Sequence, residues 1–162
     1  MKSITIYEGP DGGGKTTAAV AFARKSGALY VHNGPFIGEA YITHHYLNGM
    51  APALMGLHDV VMDRCWISEF IYGVVHRAGA NRVSDVDKRF LEGTAFRLCR
   101  TQVLIYTPPI QVCLDNFNRR RGTEYLDSEQ KLKDVYRLYW HGGLTELPTS
   151  HVDYTKELAN GK

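Results

Sequence analysis

The chain has 162 residues, of which 44% are hydrophobic and 22% charged, with 16 glycines and a formal net charge of +2. That composition suits one globular domain over 1–162 with one core, leaves no room for a second full domain, and is too balanced to call for a polyanionic partner such as duplex DNA. Cys65, Cys99 and Cys113 are odd in number and show no CxxC spacing, which argues against a disulfide framework or a zinc site. No apolar run approaches the roughly 18 residues of a membrane span, so a cytoplasmic protein without nucleic-acid or membrane partners is expected.

Ser3 to Tyr7 alternates β-branched and polar residues and predicts a strand. A glycine-rich loop, Glu8 to Gly14, follows, and the alanines at 18, 19, 21 and 23 predict a helix over Lys15 to Lys25. Ala28 to Val31, His58 to Met62 and Val103 to Tyr106 are short apolar runs that read as buried strands, the second leading into Asp63-Arg64 and the third into Pro108-Pro109. Ile110, Cys113, Leu114 and Phe117 recur at helical spacing, as do Leu132, Val135, Tyr136, Tyr139 and Trp140, so two one-sided helices are expected. The carboxylates of Ser84-Asp85-Val86-Asp87 and Asp127-Ser128-Glu129-Gln130 belong to helix starts with a capping residue rather than to an acid–base pair. His151 to Thr155 reads as a last strand. Strands alternating with helices imply an α/β domain, a mostly parallel sheet with helices on both faces, and ligands at the carboxyl ends of the strands.

Gly9-Pro-Asp-Gly-Gly-Gly14-Lys15-Thr16 fits G-x-x-x-x-G-K-[ST], the phosphate-binding loop, and it stands between a predicted strand and a predicted helix as that motif requires. Its glycines let backbone N–H groups turn inward around a phosphate, and the start of the helix adds its positive dipole end. Gly12, Gly13, Gly14, Lys15, Thr16 and Thr17 form the expected nucleotide-binding set. Lys15 reaches the β- and γ-phosphate oxygens of ATP, and the Thr16 hydroxyl ligates Mg²⁺.

Three further features follow in order: Asp63-Arg64 with Ser68 (DRCWISEFIYG), the strand VLIYTPP, and a helix ending in Arg119-Arg120-Arg121 with Glu124 beyond. With the phosphate loop, they make the chain from about Ser3 to Tyr139 resemble the thymidylate kinase and deoxynucleoside kinase superfamily of P-loop kinases. The resemblance implies a P-loop NTPase fold with a short helical lid near 118–128, dimers as in related kinases, and transfer of the γ-phosphoryl of ATP. It also implies that Arg64 contacts nucleotide phosphates, that Asp63 lies near the metal, and that Asp11 contacts the 3′-hydroxyl of the acceptor sugar. Because 10–13 contain no arginine, the charge on the transferring group falls to the lid, with Arg119 and Arg121 favoured; a solvated basic helix end is the other reading of these arginines.

The chain departs from thymidylate kinases where Val31-His32-Asn33-Gly34-Pro35 replaces an Arg-Glu-Pro-Gly-like segment. His32 and Tyr41 are candidates to contact the acceptor, although core packing equally explains the tyrosine. Deoxynucleoside kinases carry a glutamate after the second strand as base for a 5′-hydroxyl, and 31–35 contain no carboxylate, with His32 or Glu39 as the alternatives. The expectation is a thymidylate kinase-like deoxynucleoside monophosphate kinase, with thymidine monophosphate as the first acceptor to try. A deoxynucleoside kinase is the alternative. A P-loop ATPase or switch is a third reading, against which no guanine-reading Asn/Thr-Lys-x-Asp segment is present.

Overall fold

The computed structural model describes residues 1–36, 41–120 and 126–159. Five strands form one sheet among the described residues, in the order β2-β3-β1-β4-β5. They are β1 (Ser3–Glu8), β2 (Leu29–His32), β3 (Val60–Asp63), β4 (Arg100–Tyr106) and β5 (Thr149–Val152). Every pairing is parallel: Ile6 lies opposite Met62 of β3 and Val103 of β4, Val31 opposite Met62, and Ile105 opposite His151. The helices are α1 (Lys15–Ser26), α2 (Thr43–Leu54), α3 (Trp66–His76), α4 (Asp85–Leu98), α5 (Ile110–Arg119), α6 (Glu129–His141) and α7 (Tyr154–Ala159). None of the described helices is long and apolar enough to cross a membrane.

The strand period of two sorts side chains to the two faces. Ile4, Ile6, Val60, Met62, Val103 and Ile105 join the larger core with residues of α2, α3, α4, α5 and α6. Tyr7 and Val61 point the other way, against Ala19 and Ala23 of α1, whose small side chains four residues apart let that helix lie close to the sheet. At the centre of the larger core Trp66 meets Tyr46 edge-on at 6.0 Å, and its indole N–H donates to the buried Glu92 carboxylate at 3.1 Å. Burying an aromatic body while pairing its polar tip keeps the hydrophobic gain, about 1.5–3 kcal/mol for a large side chain, free of a desolvation loss.

The expected helix starts are present. Ser84 Oγ accepts from the Asp87 N–H at 3.1 Å and Ser128 Oγ from the Lys131 N–H at 3.3 Å. The last strand differs from expectation, covering Thr149–Val152 rather than His151 to Thr155. Asp153 ends it: its carboxylate accepts from the Thr155 N–H at 3.1 Å, and the chain turns into α7 from Tyr154. Helices α2 and α3 had no periodic signal. The α2 sequence THHYLNGMAPAL contains Gly49 and Pro52, both poor helix formers, and α3 is apolar nearly all round because it is buried on most sides.

Candidate active site

The carboxyl ends of β1, β2 and β3 and the first turn of α1 enclose a cavity of about 500 Å³. Its walls come from the loop after β1 (Asp11, Gly12, Lys15, Thr16), the segment after β2 (His32 to Pro35), Arg64 after β3, and Ser68, Glu69 and Tyr72 of α3. Arg77, Arg82, Tyr46 and Arg120 complete it.

The phosphate loop is shaped by close approach. Gly9 has φ 140° and a Cβ there would lie 2.4 Å from the Tyr106 carbonyl oxygen; Gly12 has φ 75° and its Cβ would lie 2.5 Å from the Cys113 carbonyl oxygen. Both positions therefore admit only glycine. Asn116 donates to the Gly12 carbonyl at 2.9 Å and ties the loop to α5. Gly13 and Gly14 complete the turn, with Gly14 at the N-cap of α1. Lys15 folds back over the loop, with Nζ 3.3 Å from the Pro10 carbonyl and 3.8 Å from Asp11. Thr16 is exposed at the cavity floor, whereas Thr17 is exposed outside its lining.

Arg64 holds the centre. Its guanidinium is ion-paired to Asp11, donates to Ser68 Oγ and to the Tyr72 hydroxyl at 3.1 Å each, and lies 4.9 Å from the centre of the Tyr72 ring. Burial pushes the Asp11 carboxyl up, but Arg64 and Lys15 beside it outweigh burial and hold it below the usual carboxylate range. Its second oxygen is buried and has no hydrogen-bond partner.

At the floor, Asp63 Oδ2 accepts from the Tyr30 hydroxyl at 2.8 Å and contacts His32 Nδ1 at 3.0 Å. Burial raises this carboxyl too, and the Thr16 hydroxyl, Lys15, Tyr30 and His32 more than offset it, so Asp63 is a carboxylate. Its Oδ1 is buried with no hydrogen-bond partner, and the Thr16 hydroxyl acts on the same carboxylate. Two hard oxygen donors fit Mg²⁺, which takes one or two protein ligands and fills its octahedron with water and phosphate. No cluster of three or more His, Cys, Asp or Glu suited to a metal exists among the described residues.

Another wall carries a third buried carboxylate, after Asp11 and Asp63. Glu69 accepts from Arg82 Nη2 at 2.7 Å and Nε at 2.9 Å, and from Arg77 Nη2 at 2.7 Å. Two arginines on one glutamate leave this wall with an excess of positive charge and of N–H donors. Glu8, just before the phosphate loop, is a fourth buried acid: its carboxylate accepts from the Cys65 N–H, the Ser68 N–H and hydroxyl, and the Tyr139 hydroxyl.

The structure thus brings together Asp11, Gly12, Lys15, Thr16, His32, Asp63 and Arg64. It does not bring Tyr41 with them: this side chain is 56% exposed and its hydroxyl lies 3.3 Å from Asp87 of α4. Nor does Arg119, the exposed last residue of α5, line the cavity; its neighbour Arg120 does, and Arg121 lies outside the described residues with the middle of the expected lid. Glu8, Glu69, Arg77 and Arg82 were missed, and Arg120, one of the three arginines named for the lid, was passed over in favour of its neighbours. The legible signal was a single acid inside an apolar run, as in WISEFIYG, which burial makes costly unless it has partners.

No family model and no curated protein matches the sequence. Solved structures do match the fold. YorR from Bacillus subtilis, determined in complex with phosphorylated GDP, is 20% identical, with 98% of this chain and 92% of that one covered and a TM-score of 0.72. Deoxyadenosine kinase from M. mycoides with bound dATP is 17% identical, with 98% and 97% covered and a TM-score of 0.59; the same kinase with dCMP and a flexible dCDP gives 14% and 0.58. The chain has the α/β P-loop fold of these structures.

Proposed function

We propose that the chain is an ATP-dependent kinase that moves the γ-phosphoryl group onto a deoxynucleoside monophosphate. The observation that carries this reading is the convergence of Lys15, Thr16 and Arg64 on one cavity whose far wall is lined by Glu69, Arg77 and Arg82. A site with cations at its centre and a fork of donors at its end suits a molecule with phosphate at one end and a hydrogen-bonding base at the other.

In this reading the loop N–H groups and the start of α1 hold the donor phosphates, and Lys15 leaves the Pro10 carbonyl for the phosphate oxygens. Thr16 and Asp63 hold Mg²⁺, which neutralises charge on the β- and γ-phosphates when bound. Arg64 meets the acceptor phosphate, and the unpaired oxygen of Asp11 accepts from a sugar hydroxyl. Arg120 takes the lid role expected of Arg119. The base lies against Glu69, Arg77 and Arg82. The complexes of YorR and deoxyadenosine kinase with nucleotides support a nucleotide in this fold, and thymidine monophosphate remains the first acceptor to try by family resemblance.

A second reading, a deoxynucleoside kinase acting on a 5′-hydroxyl, is favoured by one observation. His32 is half exposed at the cavity, and the fully buried Asp63 holds its Nδ1, an arrangement that orients an imidazole toward a hydroxyl proton. Side-by-side kcat/KM values for each deoxynucleoside and its monophosphate decide between the two. The proposal expects the monophosphate to exceed its nucleoside by at least about a hundredfold, since the phosphate supplies its own nucleophile and its contact with Arg64. A nucleoside that outperforms its monophosphate transfers the assignment to the second reading.

A further inference from the structure

Glu8 ends β1 and begins the phosphate loop, yet it does not line the cavity and is fully buried. Its Oε1 accepts from the N–H groups of Cys65 at 2.7 Å and Ser68 at 3.3 Å, and its Oε2 from the hydroxyls of Ser68 and Tyr139, both at 2.7 Å. With four donors on two oxygens, this carboxylate is an anchor and has no capacity left for a reacting group. What it anchors is the turn after β3. Arg64 has φ 71°, a left-handed backbone that a residue with a side chain keeps only where its surroundings over-determine it. Asn33 Nδ2 holds the Arg64 carbonyl at 2.9 Å, and Glu8 holds the next N–H, that of Cys65. Glu8 reaches Arg64 by a second route as well, because the Ser68 hydroxyl that donates to Glu8 accepts from Arg64 Nη1 at 3.1 Å.

We infer that Glu8 is a positioning residue: through Cys65 N–H and the Ser68 hydroxyl it fixes the left-handed turn at Arg64 and aims that guanidinium into the cavity. Tyr139 extends the clamp to α6, so the helix that follows the lid segment is fastened to the same carboxylate. The kinetic consequences rest on the kinase reading, whereas the placement of Arg64 does not. Glu8→Ala removes the clamp. Glu8→Gln keeps its shape, since the amide oxygen accepts from both N–H groups and the amide nitrogen donates to the two hydroxyls.

Two measurements on the full chain test this. In the first, the rate of phenylglyoxal modification at Arg64, read by mass spectrometry, rises about tenfold in Glu8→Ala and stays near wild type in Glu8→Gln, because a side chain now 15% exposed is released. In the second, kcat falls about a hundredfold and the acceptor KM rises in Glu8→Ala while the Kd for ATP is unchanged, as expected for a misplacement near 1 Å of one group. Glu8→Gln recovers most of both. Glu8→Asp replaces the alanine variant if that one does not fold, because a side chain one methylene shorter cannot span the N–H groups and the hydroxyls together. Wild-type protein without transfer activity defeats the kinase reading and leaves the modification rates to judge Glu8. An unchanged modification rate at Arg64 in the clamp-breaking variant overturns the inference, as does equal loss of ATP binding and turnover that Glu8→Gln fails to rescue.

Discussion

Lys15 is 6% exposed, and burial together with the neighbouring Arg64 lowers its pKa from the usual lysine range, against the opposing pull of Asp11, Asp63 and Glu8. A base whose folded pKa lies below its unfolded value disfavours folding wherever it is charged in both states, that is, below the folded pKa; the penalty is relieved progressively as pH rises from the folded pKa toward the unfolded value of about 10.4. Lys15→Met therefore raises the unfolding temperature of the ligand-free protein at pH 7, by roughly 2–4 °C for each kcal/mol recovered in a domain of this size. Differential scanning calorimetry checks this, and a lowered midpoint contradicts it. Lys15 and Thr16 were legible from sequence because their chemistry depends on covalent spacing within one loop. Glu8 was not, because its meaning comes from Ser68 and Tyr139, 60 and 131 residues away. Glu69 was hidden in the same way, since only the turn after α3 brings Arg77 and Arg82 back onto it.

At the scale of elements, α5 links the phosphate loop to the basic helix end at Arg119 and Arg120. Asn116 holds the Gly12 carbonyl, and one turn later the helix ends with Arg119 facing solvent and Arg120 facing the cavity. Consecutive residues at a helix end diverge by about 100°, so only one of such a pair can face a given ligand, and sequence alone does not say which. Arg120→Ala is expected to lower kcat by about 10³- to 10⁵-fold with a smaller effect on ATP affinity, and Arg119→Ala by only a few-fold. Steady-state kinetics of the two variants check this, and equal losses would return the role to both. The one-sided helices α5 and α6 and the capped α4 were legible because each shows its buried stripe or its cap. Helix α2, with Gly49 and Pro52, and helix α3, buried on most sides, were not. The boundary between β5 and α7 was misread because the Asp153 turn that sets it depends on a side-chain hydrogen bond rather than on hydrophobic pattern.

For the molecule as a whole, the chain runs from β3 on one side of β1 to β4 on the other, so the topological switch falls beside the central strand. Ligands of open parallel sheets lie outside the carboxyl ends at such a point, and the phosphate loop, Asp63, Arg64 and His32 all stand at those ends. That placement was legible from the alternation of strands and helices alone. The far wall of Glu69, Arg77 and Arg82 was not, because its members become neighbours only when α3 packs into the core. The most direct test of the account is transfer of label from [γ-³²P]ATP·Mg²⁺ to a panel of deoxynucleosides and their monophosphates, by wild-type protein and by Lys15→Met. The account predicts labelled deoxynucleoside diphosphate from at least one monophosphate with the wild type and none above background with Lys15→Met. Label on no acceptor, or equal label from both proteins, contradicts it.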